Sequence, residues 1–411
     1  MTQKPRILLA MGTRPEIIKM APIYFEFKAR GVEPIVLHTG QHADLALPHY
    51  RFFGFTPDHD LDIRRTPSPP QPAHTGGHDL AELTSALLNA VSSVIMDVSP
   101  AAVLVHGDTS SALAAALASF YHQLPVAHIE AGLRSHNAFN PFPEEKNRVL
   151  IAQLARWHFA PTERAKRNLM AEGVPESHIH VVGNTIVEAA QLGSKKVEEY
   201  LAQAGDQEPM IVQKLREQAG QRKIILVTMH RRENQATNVA QVAKAVRELL
   251  ERHEDIFVVW PMHPNPKIVS AVRSAIDLRS LPESAAARLH LSNPLSYPLF
   301  LWVLEHSWLV LTDSGGIQEE TVALRIPVLI LRETTERPEV LETGIGILTG
   351  SDKDNILKHA ANFLNAREKS AAFHHFNNPF GDGTAARRIC GTLLDELAMP
   401  LLPDLSGKDA Q

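Results

Sequence analysis

A chain of 411 residues with 21% charged and 44% hydrophobic side chains has the composition of an ordinary globular protein, long enough for two or three domains. Its formal charge of −5 argues against general nucleic-acid binding. Its single cysteine, Cys390, rules out an internal disulfide; with an N-terminal apolar run too short for a signal peptide and no other stretch expected to span a bilayer, the expectation is a cytoplasmic protein.

Ile7–Met11 reads as a first strand, followed by Gly12-Thr13-Arg14-Pro15-Glu16 and an apolar helical stretch. Pro15 sits where a first-turn proline is tolerated. A second strand over 33–38 ends in Thr39-Gly40-Gln41-His42. Residues 64–78, rich in Pro, Gly and Thr, read as an exposed loop, and a helix follows over roughly 80–97. Strands are expected at Ala102–His106, 126–130, Trp157–Ala160 and 179–182. Residues 188–221 turn polar and helical, which suits a connection between domains. The rhythm then restarts, with strands at Lys223–Thr228, 256–260, 289–291, 308–311, 327–331 and 344–348. Helices are expected at 238–252 and Tyr297–His306.

Short apolar strands separated by helical patterns predict an α/β protein with parallel sheets covered on both faces. The expected domains are 1–185 and 186–383, with a last helix at about 384–400 crossing back to the first. Two such units facing one another would place ligands in the cleft between them, at the carboxyl ends of the strands.

The polar residues fall at those ends. Arg14, Gln41, Asp108, Glu130, His230, His263, Ser314 and Arg332 all lie at or just after the end of an expected strand. No single one is diagnostic. Asp108, in H-G-D-T, is placed to cap the next helix, and a strand-end Asp is more often a cap than a catalyst. Glu144 and Arg148 have the spacing of an i,i+4 ion pair. Glu130 ends an apolar strand and precedes Ala131-Gly132, a poor place for a solvated surface charge. In Thr312-Asp313-Ser314-Gly315-Gly316, a strand ends in a turn with two residues that obstruct nothing. Such a turn aims main-chain N–H groups and the positive end of a helix dipole at one point, where a phosphate would sit. Despite 21 histidines there is no H-E-x-x-H, and no Walker loop or G-x-S-x-G occurs, so neither metal nor cofactor is expected. Carboxylates on one side and a phosphate turn on the other suit a nucleotide sugar.

At these residues the sequence resembles the non-hydrolysing UDP-N-acetylglucosamine 2-epimerases, from Ile7 to about Leu397. The resemblance rests on G-T-R-P-E-x-I-K-M-A-P from Gly12, V-H-G-D-T from Val105, H-I-E-A-G-L-R from His128 and P-F-P-E-E-x-N-R from Pro141. H-R-R-E-N from His230, T-D-S-G-G-I-Q-E-E from Thr312, T-T-E-R-P-E from Thr334 and N-P-F-G-D-G from Asn378 complete it. It implies the glycosyltransferase-B architecture of two Rossmann-like domains and usually a homodimer. Catalytic positions match Asp108, Glu130 and Glu144, with Arg148 and His230 implicated. UDP contacts match Arg14, Ser314, Gly315, Gly316, Glu320 and Arg337, with Lys19 and His263 nearby. The family interconverts UDP-GlcNAc and UDP-ManNAc by eliminating UDP and adding it back. After Gln41-His42, where the family commonly has Arg and a Met-Leu-Asp run, this chain has Ala43-Asp44-Leu45-Ala46. That segment borders the site where bacterial members bind a second UDP-GlcNAc, so Gln41 and His42 mark a candidate activator site. Alternatives are epimerisation of a related sugar such as UDP-2,3-diacetamido-glucuronate, a hydrolysing epimerase, a glycosyltransferase of the same fold and a non-catalytic nucleotide-sugar binder.

Overall fold

A computed structural model describes residues 5–41, 43–61, 63, 76–204, 209–218, 221–229, 236–365 and 377–398. The chain forms two compact units, one of Met1–Thr185 with Gly383–Gln411 and one of Ile186–Asp382.

The first unit is built on β1 (Ile7–Met11), β2 (Pro34–His38), β3 (His59–Asp60), β4 (Ala102–His106), β5 (Val126–Ile129), β6 (Trp157–Ala160) and β7 (Ile179–Val181). They form one seven-stranded sheet in the order β3-β2-β1-β4-β5-β6-β7, with every pairing parallel. Strands buried on both faces need apolar residues throughout, and β1 and β4 are buried at all five positions. The chain winds outward in one direction from β1 and in the other from β4. Their carboxyl ends therefore flank the switch point at which sheets of this kind hold ligands.

Helix Gly76–Val98 begins inside the segment expected to be a loop, whose residues 64–75 lie outside the described residues. Its apolar periodicity outweighs the turn-forming Gly76 and Gly77. By length and composition its stretch Asp79–Val98 is apolar enough to cross a bilayer, contrary to the expectation that no stretch is. That apolarity is used inside the unit, where Val91, Val94, Ile95 and Val98 join the core around β1 and β4. The last helix, Ala385–Ala398, packs on helix Arg14–Ala29. There the Cys390 thiol is buried and donates to the Ile23 carbonyl at 3.7 Å.

The second unit is built on β8 (Lys223–Thr228), β9 (Ile256–Pro261), β10 (Leu289–Ser292), β11 (Ser307–Thr312), β12 (Val328–Ile330) and β13 (Gly346–Leu348). Its six parallel strands run in the order β10-β9-β8-β11-β12-β13, with the switch point between β8 and β11. The polar helical stretch read as a connection is part of this unit. Helices Ile186–Ala204 and Met210–Gln218 both pack on helix Tyr297–His306 and bury Val197, Leu201, Ile211, Val212 and Leu215. Their polar composition reflects the solvent faces alone.

Candidate active site

In the first unit the strand-end turns are tied to one another. Glu16, 1% exposed, accepts from the N–H groups of Gly12 (2.8 Å) and Thr13 (2.6 Å) after β1. Thr109 Oγ1, after β4, donates to the same carboxylate at 2.6 Å. Burial raises the Glu16 pKa, against the pull of these hydrogen bonds and of one from the Thr13 side chain. Gly12 cannot be larger, because a Cβ there would lie 2.0 Å from Thr39 Oγ1. Gln41 Oε1 accepts from Ser111 N (3.2 Å) and Ser111 Oγ (2.7 Å), joining the end of β2 to the helix after β4.

Asp108 does not cap helix Ser110–Tyr121. Thr109 does, accepting from Ala112 N at 3.0 Å. The Asp108 carboxylate is left for Arg148, whose Nε (2.7 Å) and Nη2 (2.6 Å) both reach Oδ2. Arg148 Nη1 also pairs with Glu145 at 2.9 Å, an i,i+3 contact on helix Glu144–Leu154. Glu145 in turn accepts from the N–H groups of Ser135 and His136, each at 2.9 Å. Asn147 Nδ2 donates to the Asp108 carbonyl at 2.8 Å, and the ring of His128 bonds the Gly107 carbonyl at 2.8 Å. Glu144 opens the helix that carries Asn147 and Arg148, so its position is coupled to that of Asp108.

Glu130 follows β5 with φ +63, a left-handed conformation that glutamate adopts only under constraint. The constraint is visible around it. Its side chain is 9% exposed and paired with the buried ammonium of Lys19. Asn184 Nδ2 donates to Glu130 Oε2 at 2.9 Å, and His106 Nε2 lies 3.7 Å from the same oxygen. Lys19, matched by resemblance to the neighbourhood of UDP, thus sits on a carboxylate of the first unit. Arg14, in the first turn of its helix, is exposed.

Sequence reasoning missed Asn184, Asn147 and Glu16. Asn184 was within reach of it, since Gly183-Asn184-Thr185 follows β7 as Gly107-Asp108-Thr109 follows β4.

In the second unit, Ser314 occupies the N-cap position of helix Gly315–Ala323, but its side chain makes no capping bond. The turn is set instead by Ser314 N donating to Thr312 Oγ1 (3.1 Å), itself bonded to Thr228 Oγ1 (2.7 Å) at the end of β8. A Cβ on Gly316 would meet nothing within 4 Å, whereas one on Gly315 would lie 2.4 Å from Arg337 Nη1. Arg337 is fixed there by buried Glu319 (2.6 Å) and by Glu336 (3.6 Å). Although burial works the other way, the Arg332 hydrogen bond and the Arg337 and Arg332 charges hold the Glu336 carboxyl down at about 2. Glu320 is 6% exposed, a turn into the helix. His263, after β9, accepts at Nδ1 from Asn265 N at 3.2 Å. His230 and His42 lie outside the described residues. Among the described residues no cluster of three His, Cys, Asp or Glu is arranged to hold a metal ion.

The first unit thus offers half-buried and buried carboxylates, with Asp108, Glu130 and Glu145 each paired to a cation; the second, by itself, offers a glycine turn at a helix N-terminus beside an anchored arginine. The sequence model of the UDP-N-acetylglucosamine 2-epimerase family matches residues 26–394. The UDP-N-acetylglucosamine 2-epimerase of Salmonella borreze is 39% identical over 386 residues, covering 93% of this chain and 97% of that protein. The Escherichia coli K12 enzyme of the same name is 37% identical over 397 residues, covering 94% and 98%. The crystal structure of the Neisseria meningitidis enzyme bound to UDP-GlcNAc, 36% identical, superposes with a TM-score of 0.79 over 95% of this chain and 100% of that one. With its two parallel-sheet α/β units and these relatives along nearly its whole length, the chain belongs to the UDP-N-acetylglucosamine 2-epimerase family.

Proposed function

We propose that the protein interconverts UDP-GlcNAc and UDP-ManNAc, eliminating UDP to a 2-acetamidoglucal and adding it back on the opposite face of C2. The product would serve as a ManNAc-type precursor for surface polysaccharide. The observation that carries the reading is the pair of charge-held carboxylates, Asp108 on Arg148 and Glu130 on Lys19, at the ends of the neighbouring strands β4 and β5.

The chemistry calls for such groups. C2–H lies next to no carbonyl and is not acidic, so its loss must be coupled to departure of UDP. In the gluco sugar H2 and the α-phosphate oxygen are antiparallel, so elimination is anti; in the manno sugar H2 is equatorial, so re-addition is syn. Proton-transfer groups are then needed at more than one place around C2. Asp108, Glu130 and Glu144 share that work in this proposal, with Arg148 orienting Asp108. Ser314, Gly315 and Gly316 take the diphosphate on helix N–H groups, Arg337 adds positive charge, and Glu320 accepts ribose hydroxyls.

Incubation with UDP-GlcNAc in D2O, followed by NMR, tests the reading. Deuterium at C2 together with UDP-ManNAc is expected. Free ManNAc would indicate a hydrolysing enzyme, and a C2 position without exchange would sink the proposal. Asp108→Asn, Glu130→Gln and Glu144→Gln should each abolish exchange and leave UDP binding intact.

A further inference from the structure

His106 ends β4 and is 3% exposed. Its buried Nε2 has no hydrogen-bond partner among the described residues and lies 3.7 Å from Glu130 Oε2. The ring also interacts with its own main-chain carbonyl, and a neutral ring with its proton on Nδ1 serves that contact while leaving Nε2 as the acceptor. Nε2 then carries a bare lone pair. Burial above all, with Lys19 adding to it and Glu130 and Asp108 opposing, lowers the ring's pKa to about 4, so it is neutral near pH 7.

A lone pair facing a carboxylate offers it nothing, because both are acceptors. The ionised form of Glu130 is already supplied with donors by Lys19 and Asn184. The arrangement gains a use once Glu130 is protonated. Its O–H then has an acceptor in Nε2, and closing the gap to about 2.8 Å takes a movement of roughly 1 Å. Glu130 is thus furnished with one set of partners for each protonation state.

We propose that His106 is a positioning residue that accepts a hydrogen bond from protonated Glu130, stabilising the acid form through which that side chain passes in each catalytic cycle. The inference rests on the reading of Glu130 as a proton-transfer group. When Glu130 takes the sugar proton, the C–H electron pair becomes the new C1=C2 bond and the C1–O pair leaves with UDP. The proton stays on Glu130, shared with Nε2, until it is returned or exchanged with solvent.

The test uses the full chain with UDP-GlcNAc in D2O and three variants. His106→Leu removes the acceptor. His106→Asn keeps polarity but falls short of Glu130. His106→Gln places an amide oxygen near the position of Nε2. The expected result is C2 exchange slowed about tenfold to a hundredfold in Leu and Asn, recovery to within about fivefold of the parent in Gln, and unchanged UDP affinity and KM throughout. If the parent protein does not exchange C2, the functional reading fails first. If the parent exchanges and the Asn variant keeps pace with it, or Gln is as slow as Asn, the role of His106 is overturned. The comparison of Gln with Asn stands even where Leu does not fold.

Discussion

Replacing Arg148 by Met removes the cation shared by Asp108 and Glu145 while keeping most of the side-chain volume. The guanidinium is 8% exposed, the Glu145 side chain 5% and the Asp108 side chain 25%. Deleting one partner of a buried pair costs about 3–5 kcal/mol, because a charge stays behind without compensation. Water reaches Asp108, so the lower end, about 3 kcal/mol, is expected. A unit of roughly two hundred residues loses about 2–4 °C per kcal/mol, so its melting transition should fall by about 6–12 °C. Asp108 also loses both bonds that orient its carboxylate, which should slow C2 exchange by about a hundredfold. Arg148→Lys restores the charge without the fork and should recover stability better than rate. Calorimetry with C2 exchange on the same samples reads both effects. An Arg148→Met protein that melts and exchanges like its parent would refute the reasoning, and Glu145→Gln in the same background should relieve part of the loss by removing one stranded charge.

Burial lowers the pKa of His106 to about 4, of His128 to about 3 and of His158 to about 4 in the first unit. These folded-state values lie below the ordinary 6.5, so their contribution is fully present above that pH and is lost as pH falls through the folded values. The stability at stake is about 3 kcal/mol each for His106 and His158 and about 5 kcal/mol for His128. The melting temperature should therefore fall steadily from pH 6.5 to 4, less steeply in His158→Gln; a flat profile would contradict it. In the second unit, Gly315→Ala puts a methyl 2.4 Å from Arg337 Nη1, which Glu319 keeps from moving aside. Calorimetric titration should show UDP affinity down by at least about tenfold with the fold retained, and parental affinity would argue against Arg337 as a UDP ligand.

The sheets were legible because parallel strands buried on both faces carry continuous apolar runs, as in Leu8-Leu9-Ala10 and Val103-Leu104-Val105. β3 was not, since two residues, His59 and Asp60, hold no such signal. Helix Ala43–Phe53 contains Pro48, and Lys353–Leu364 has an ordinary mixed composition, so neither stands out. The placement of Asp108, Glu130 and Ser314 followed from strand ends alone. Their partners did not, because Lys19 and Glu130 are 111 residues apart and no local pattern joins them. Thr109 and Asp108 are equally good caps on paper, and the contacts of Arg148 and Asn147 decide between them.

The helix Ala385–Ala398 closes the first unit from the far end of the chain. Trp157 Nε1 donates to Glu396 at 2.6 Å, and Arg388 donates to the Val182 carbonyl at 3.0 Å. During synthesis the seven-stranded sheet is made long before this segment leaves the ribosome. The outer face of helix Arg14–Ala29 must wait, uncovered, while the whole second unit is translated and folds. A fragment cut before residue 385 would therefore hold every strand of both sheets and still leave that face of the first unit bare.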